Sequence, residues 1–109
     1  MKIRRDVFQA LADPTRRVII GMVALQAMTP GAIADKFGSS RQTISKHIQI
    51  LTECELLAQQ QSGREIYYHL NPRKLKEVAD WLTPYRQMWE GRLDAMEGLL
   101  DEMQNKKTI

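Results

Sequence analysis

The chain has 109 residues, of which 43% are hydrophobic and 27% charged, with a formal net charge of +3 at pH 7. This composition is typical of one small globular domain and excludes a disordered protein, while the length leaves little room for an enzyme cleft. The sequence has neither a run of about 18 apolar residues nor a signal-peptide core, and its single Cys excludes an intrachain disulfide, so we expect a cytoplasmic protein without membrane contact.

Two helices are predicted at the start of the chain. The first is amphipathic and ends near Ala12, with apolar residues at helical spacing: Ile3, Val7, Phe8 and Leu11. Asp13-Pro14 then combines an N-cap residue with proline at the first helical position, which is a strong start signal. Residues 18–25 are apolar nearly all round, so this second helix is predicted to be central and buried.

A helix-turn-helix is predicted next. Thr29 and Pro30 open a short third helix, which carries the apolar residues Ile33, Ala34 and Phe37. Gly38 ends that helix in the manner of a C′ glycine. A fourth helix begins after a cap at Ser39 or Ser40 and is predicted to reach about residue 55. A short helix, a turn containing glycine and a second helix form the motif.

A β-hairpin is predicted to follow the fourth helix directly. Strand-forming residues alternate in the segment 66–70, with Ile66, Tyr68 and Leu70 on one face. Ser62-Gly63 marks the turn that joins this strand to the stretch 57–61. The expected fold is therefore mostly α with one small hairpin, in the winged helix-turn-helix arrangement.

The C-terminal third is predicted to be helical and to form a dimer interface. One helix starts at Asn71-Pro72 and reaches Leu82, and Thr83-Pro84 predicts a kink or a second start. The last helix, about residues 84–104, carries an apolar seam at coiled-coil spacing: Trp89, Leu93, Met96, Leu100 and Met103. We expect this seam to pair with a second copy of the chain, with help from Ile3, Val7 and Phe8, although packing within its own domain is the alternative.

The fourth helix has a polar face that is suited to DNA. Its polar residues are an amide, a hydroxyl, an amine and a second amide at helical spacing: Gln42, Ser45, Lys46 and Gln49. Arg41 and Thr43 flank this face, and no carboxylate occurs between Ser39 and Glu53. Such side chains donate and accept hydrogen bonds at base edges without repelling phosphates. The basic surplus also lies in this part of the chain, with nine Lys and Arg against six Asp and Glu in residues 1–72.

Three segments, ALADPTRRVII, SSRQTISKHIQIL and GREIYYHL, together resemble the ArsR/SmtB-type bacterial repressors along most of the chain. The resemblance implies a homodimeric winged-helix repressor that binds a palindromic, double-stranded DNA operator and blocks transcription. It also implies the residues that bind DNA: Ser40, Arg41, Gln42, Thr43, Ser45, Lys46 and, on the wing, Arg64. The protein or small-molecule effector is left open, and no cofactor is expected.

The metal sites of this family are not matched. Where its metal sensors often have a Cys-x-Cys pair, this chain has Thr29 and Gly31, and it has no His or Cys after residue 72. The pattern therefore resembles the metal-independent branch, and no metal ligand is expected. Three alternatives are weaker: a metal- or thiol-responsive repressor that uses His47, Cys54 or His69, a winged helix that contacts only protein, and an enzyme. No nucleophile–base pair, phosphate loop or carboxylate cluster supports the last.

Overall fold

The computed structural model describes residues 6–107, and of residues 106 and 107 it describes the backbone alone. The elements in chain order are α1 (Val7–Leu11), α2 (Pro14–Leu25), α3 (Pro30–Phe37), α4 (Arg41–Glu53), β1 (Leu57–Ser62), β2 (Glu65–Leu70) and α5 (Pro72–Lys107). The chain divides into two units, Met1–Val78 and Ala79–Ile109. The predicted part of Ile3 in the first helix lies outside the described residues.

Helix α1 is short and is closed at its start by reciprocal hydrogen bonds. The Asp6 carboxylate accepts from the backbone N–H of Gln9 at 2.9 Å, and the Gln9 side chain accepts from the N–H of Asp6 at 3.2 Å. This capping box satisfies two donors that a helix start otherwise leaves unpaired. Val7 and Ala10 then face the core.

Helix α2 begins as predicted, with Asp13 at the N-cap and Pro14 in the first turn, although the Asp13 side chain makes no capping hydrogen bond. The predicted burial all round the helix is wrong. Ile19, Ile20 and Val23 are buried, whereas Val18 is 52% and Leu25 88% exposed. The neighbouring elements of this small unit cover only one side of α2, and its apolar outer side is left in water.

The helix-turn-helix forms from local signals. The Thr29 hydroxyl accepts from the N–H of Ala32 at 3.2 Å at the start of α3, and Gly38 has a φ of +62° after its end. That left-handed conformation favours glycine. Ser40 caps α4, which ends at Glu53, two residues earlier than predicted.

The connection between α4 and the hairpin contains the one non-glycine residue with a positive φ among the described residues. Glu55 has a φ of +62° and lies two residues before the first residue of β1. The N–H of Leu56 donates to the carbonyl oxygen of Leu51 at 2.9 Å, and the Asn71 side chain donates to the carbonyl oxygen of Glu55 at 2.9 Å. These bonds hold the reversal between the helix and the wing.

The hairpin is antiparallel, with Leu57 opposite Leu70 and Ser62 opposite Glu65. Its turn is therefore Gly63-Arg64, one residue later than predicted, because the positive φ of +63° falls at Gly63. A short bridge that the sequence pattern did not predict joins Met28 to Tyr68, with N–H to carbonyl distances of 3.0 and 2.8 Å. This bridge ties the start of the helix-turn-helix to the second strand of the wing.

The core of the first unit lies between its helices and the base of the hairpin. Among the described residues, every buried residue belongs to this apolar core: Val7, Ala10, Ile19, Ile20, Val23, Met28, Ile33, Ala34, Ile44, Ile48, Leu51, Cys54, Leu56 and Leu57. Tyr68 and Leu70 pack against it as their alternation predicted, while Ile66, nearer the tip, is 43% exposed.

Helix α5 starts in the first unit and continues through the second. The predicted second start at Thr83-Pro84 is not a helix boundary, since α5 is continuous there. Proline removes one N–H donor, a loss that a helix of 36 residues tolerates, and the Thr83 hydroxyl donates to the carbonyl oxygen of Ala79 at 3.0 Å. Among the described residues, no helix has the combined length and apolarity that a membrane crossing needs.

Candidate nucleic-acid interface

Helix α4 presents its polar face to solvent because its apolar stripe is fully used in the core. Ile44, Ile48 and Leu51 are at most 2% exposed, which fixes the rotation of the helix about its axis. All six helix positions predicted to bind DNA are exposed: Ser40, Arg41, Gln42, Thr43, Ser45 and Lys46. The first turn contains no acidic residue, so the partial positive charge at the helix start is not offset.

Two of these residues also hold the start of α4. The Ser40 hydroxyl accepts from the N–H of Thr43 at 3.2 Å, and the hydroxyl groups of the two residues lie 2.8 Å apart. Their side chains are thus oriented by capping before any ligand is bound. Gln42, Ser45 and Lys46 have no such structural duty in the described hydrogen bonds.

Arg41 lies at the junction of α3 and α4. A β-carbon built on Gly31 would be 3.5 Å from a terminal nitrogen of the Arg41 guanidinium. The side chain is therefore folded towards the first turn of α3, beside the exposed face of α4. From there its five N–H donors suit a phosphate at least as well as a base.

A polar groove between α4 and the wing was not predicted. Its lining comes from both elements: Ser45, Gln49, Thr52, Glu53, Gln59 and Tyr68. The Gln59 side chain donates to the Tyr68 hydroxyl at 3.1 Å, and Gln49 donates to Glu53 at 3.2 Å. The run of glutamines in β1 is the sequence feature that could have pointed to Gln59 as a binding residue. Only the fold shows that this strand lies beside α4.

The wing carries one basic side chain at its tip. Arg64 is exposed and follows Gly63 in the two-residue turn. The neighbouring Glu65 carboxylate accepts from the Tyr67 hydroxyl at 2.9 Å, and this hydrogen bond, together with the carboxylate charge, raises the pKa of Tyr67. The tip thus combines a solvated cation with a carboxylate that is already hydrogen bonded.

The residues of the metal alternative lie in separate environments. His47 contacts Asp13 and Arg16, whereas Cys54 is buried and its thiol lies 3.4 Å from the carbonyl oxygen of Asp6. His69 lies on β2 of the hairpin. Within residues 6–107, no group of three or more His, Cys, Asp and Glu is placed to hold a metal ion.

The second unit carries a wide apolar surface, which we call the α5 arc. The five predicted seam residues are between 40% and 60% exposed. Together with five further large apolar residues they lie within about 140° of the helix circumference at 100° per residue. The ten members are Trp81, Leu82, Tyr85, Met88, Trp89, Leu93, Met96, Leu99, Leu100 and Met103.

The two predicted interface residues of α1 differ from each other. Phe8 is 42% exposed, but Val7 is only 5% exposed and belongs to the core of its own chain. Val7 therefore has almost no surface to offer a partner, because its side chain already packs into the core of its own chain.

A winged helix-turn-helix whose exposed helix α4 has no carboxylate before Glu53 is typical of a class of DNA-binding proteins. Comparison with known proteins shows which family of that class the chain belongs to. A helix-turn-helix domain family matches residues 11–60. The transcriptional repressor SdpR of Bacillus subtilis is 39% identical over 80 residues, which cover 73% of this chain and 89% of SdpR. The regulator Rv2034 of Mycobacterium tuberculosis is 30% identical over 94 residues, covering 86% and 85% of the two chains.

The structure of an ArsR-like transcriptional regulator from Rhodococcus sp. RHA1 is also similar, with a TM-score of 0.67 and 32% identity. The match covers 85% of this chain and 88% of that one. The chain belongs to the ArsR/SmtB-type winged-helix family and is a DNA-binding transcriptional regulator. This family is not an enzyme class.

Proposed function

We propose that the protein is a homodimeric repressor that binds a palindromic operator through the exposed face of α4 and the tip of the wing. In this proposal Gln42, Ser45 and Lys46 meet base edges and phosphates in the major groove. The DNA backbone is contacted at the start of the helix by Ser40, Arg41 and Thr43. On the wing, Arg64 reaches a phosphate or the minor groove. The protein would act in the cytoplasm, where the operator lies.

The observation that carries the proposal is the division of α4 into two faces. One face is committed to the core through Ile44, Ile48 and Leu51, so the other points outward and remains free for a partner. That outer face has hydrogen-bonding groups and cations but no carboxylate until Glu53. A surface of this chemistry fits the major groove, in which base edges present donors and acceptors between two rows of phosphates.

The α5 arc supports the homodimer. Ten large apolar side chains exposed on one helix form a surface that a monomer rarely leaves in water. A two-fold partner would bury the same surface on both chains, and each fully buried side chain contributes about 1.5–3 kcal/mol. Pairing would also place two recognition helices about 34 Å apart, one turn of DNA, so that two half-sites act together.

The first test is selection of genomic DNA fragments by the purified full-length protein, followed by a salt titration on the enriched site. We expect a palindromic site whose affinity falls steeply with salt, as phosphate contacts require. Failure to enrich any sequence would overturn the operator proposal and would favour a winged helix that contacts only protein.

The second test is the size of the particle in solution. Light scattering should give twice the mass of the 12.6 kDa chain. Removal of the residues after Thr83 should give a monomer or an aggregate without operator binding. A full-length monomer at micromolar concentration that still binds a palindromic site tightly would overturn the homodimer.

A further inference from the structure

The groove between α4 and the wing is continuous with the exposed face of α4. Ser45 belongs to that face and also lines the groove, and Gln49 and Thr52 continue its stripe along the helix. The opposite wall is formed by Gln59 and Tyr68, which pair directly across the hairpin. A ligand that lies on the face of α4 can therefore extend into the groove.

The wall that the wing supplies changes from apolar to polar along its strands. Leu57 and Leu70 form the pair at the base of the hairpin, and both pack with the core. Gln59 and Tyr68 form the next pair on the same side, since side chains alternate along a strand. Glu65 lies on the other side by the same alternation. Neither of these strands, which the structure describes in full, adds a carboxylate to the groove.

The Tyr68 hydroxyl is a fixed hydrogen-bond donor in this groove. Its ring packs against the core, and its backbone makes two hydrogen bonds with Met28, at 3.0 and 2.8 Å. The hydroxyl oxygen accepts from the Gln59 side chain at 3.1 Å, so its own proton points elsewhere. In the part of the chain that the structure describes, no group accepts that proton. The donor is thus placed before a ligand binds, and little conformational entropy is lost when one does.

The α4 wall determines which end of the groove suits an anion. The Thr52 hydroxyl donates to the carbonyl oxygen of Ile48 at 2.7 Å, and the Gln49 side chain donates to the Glu53 carboxylate at 3.2 Å. Glu53 is the one carboxylate among the lining residues. It lies two turns beyond Ser45, about 12 Å further along the helix axis at about 1.5 Å per residue. A negatively charged ligand is therefore expected at the Ser45 end, away from this carboxylate.

We propose that the Ser45 end of the groove holds the sugar-phosphate backbone of one operator strand. The Tyr68 hydroxyl donates to a phosphate oxygen of that strand, and Gln59 positions the hydroxyl. The inference rests on the proposed operator binding by α4. A helix in the major groove has base edges in front of it and a row of phosphates on each side, and the wing stands on one of those sides. Hydroxyl contacts to phosphates position a protein on DNA without reading the sequence.

Removal of one hydroxyl tests the phosphate contact. Tyr68→Phe in the full-length protein keeps the ring in place and should lower affinity about five-fold, for the operator and for a scrambled sequence alike. The slope of log affinity against log salt should not change, because a neutral donor releases no counterion. Tyr67→Phe is the matched control, since its hydroxyl donates to Glu65 on the other side of the hairpin, and it should leave both affinities unchanged.

A pair of charge substitutions tests which side of the wing faces the strand. Gln59→Glu places a carboxylate beside the proposed phosphate and should weaken operator binding at least about ten-fold by like-charge repulsion. Gln60→Glu adds the same charge at the next residue, whose side chain lies on the opposite side of the hairpin. It should cost less than about two-fold, because solvent and salt screen an exposed charge. Equal losses in the two variants would overturn the proposed path of the strand.

The phosphate itself is identified by replacing single operator phosphates with neutral methylphosphonates. At one position this replacement should weaken binding by the wild-type protein but cause no further loss in Tyr68→Phe, as expected for two partners of one contact. Gln59→Leu should likewise weaken the wild type but not Tyr68→Phe, because it acts through the hydroxyl. Thermal unfolding checks that each variant is folded at the assay temperature.

The outcomes separate this inference from the proposed function. If Tyr68→Phe binds the operator as tightly as the wild type, the inference is wrong while the proposed function stands. The same holds if Tyr68→Phe loses affinity for the operator alone, since the hydroxyl would then contact a base. If the wild-type protein binds no DNA, the proposed function fails and the inference falls with it.

Discussion

The two units of this chain differ in the burial of their apolar residues. In residues 6–78, aliphatic side chains from four helices and the hairpin meet in one core. Seven large ones are at most 2% exposed: Ile19, Ile33, Ile44, Ile48, Leu51, Leu56 and Leu57. In residues 79–105, every side chain is exposed, including two Trp and three Met residues.

The difference follows from the number of elements in each unit. The first unit has several elements, so an apolar face on one can be covered by another. The second is a stretch of one helix, and a single helix has nothing of its own with which to cover an apolar arc. The first unit should therefore have intrinsic stability, whereas the order of the second should depend on a partner.

The largest expected effect is on the stability of the first unit. Ile44 is fully buried, so Ile44→Ala should lower the free energy of unfolding by about 2–5 kcal/mol through lost burial and the resulting cavity. Leu25→Ala, at a position that is 88% exposed, is the matched control and should change it by less than about 0.5 kcal/mol. Urea unfolding measures both, and equal losses would contradict the comparison.

The next effect is on the α5 arc. Met96 lies near the centre of the arc and is 60% exposed in the single chain, so Met96→Glu should leave the chain folded but place two carboxylates in the dimer interface. A loss of about 3 kcal/mol across both chains corresponds to roughly 100-fold in affinity. Light scattering and operator binding should both report this loss.

Gln87→Glu adds the same charge on the opposite side of α5 and should change neither measurement. A Met96→Glu protein that remains dimeric with unchanged operator affinity would show that the arc is not the interface. Dissociation of both variants alike would show that added charge, rather than its position, is responsible.

A smaller effect is expected on the exposed face of α4. Gln42→Ala should reduce operator affinity by about 1–3 kcal/mol and relax discrimination at particular base pairs. Lys46→Ala should weaken binding to all sequences alike if Lys46 meets a phosphate. Competition with operators that carry single base-pair changes distinguishes the two, and unchanged affinity in both variants would show that the recognition surface lies elsewhere.

The wing should contribute less. Arg64→Ala should lower affinity modestly and reduce the slope of log affinity against log salt by about one phosphate contact. Gln60→Ala, which removes an uncharged side chain from the same hairpin, should leave the slope unchanged. A slope that is the same in both variants and the wild type would mean that Arg64 only solvates the tip.

No effect is expected from metals. Thr29 and Gly31 replace the cysteine pair of the family's metal sensors, and residues 6–107 contain no group of ligands placed for a metal. Zinc, cadmium or arsenite should therefore leave the operator complex intact in a gel-shift titration. Release of DNA by a stoichiometric amount of metal would assign a sensing role to His47, Cys54 or His69.

The sequence by itself was sufficient for the order and type of the elements in the first unit. The ends of α3 and α4 are marked by Thr29 with Pro30, by Gly38 and by Ser40. Their backbone and side-chain chemistry acts within a few residues. The acid-free face of α4 was equally readable, because the spacing of Ile44, Ile48 and Leu51 determines which side turns inward. The α5 arc was recognised only in part, as a seam of five residues.

The tertiary structure decided what depends on contacts between distant segments. The sequence of α2 is apolar on all sides, and only the packing of its neighbours determines that Val18 and Leu25 remain in water. The bridge from Met28 to Tyr68 joins residues 40 positions apart, and the contact of His47 with Asp13 joins two helices. Such contacts depend on how completed elements pack, because local spacing sets the faces of a helix but not what will lie against them.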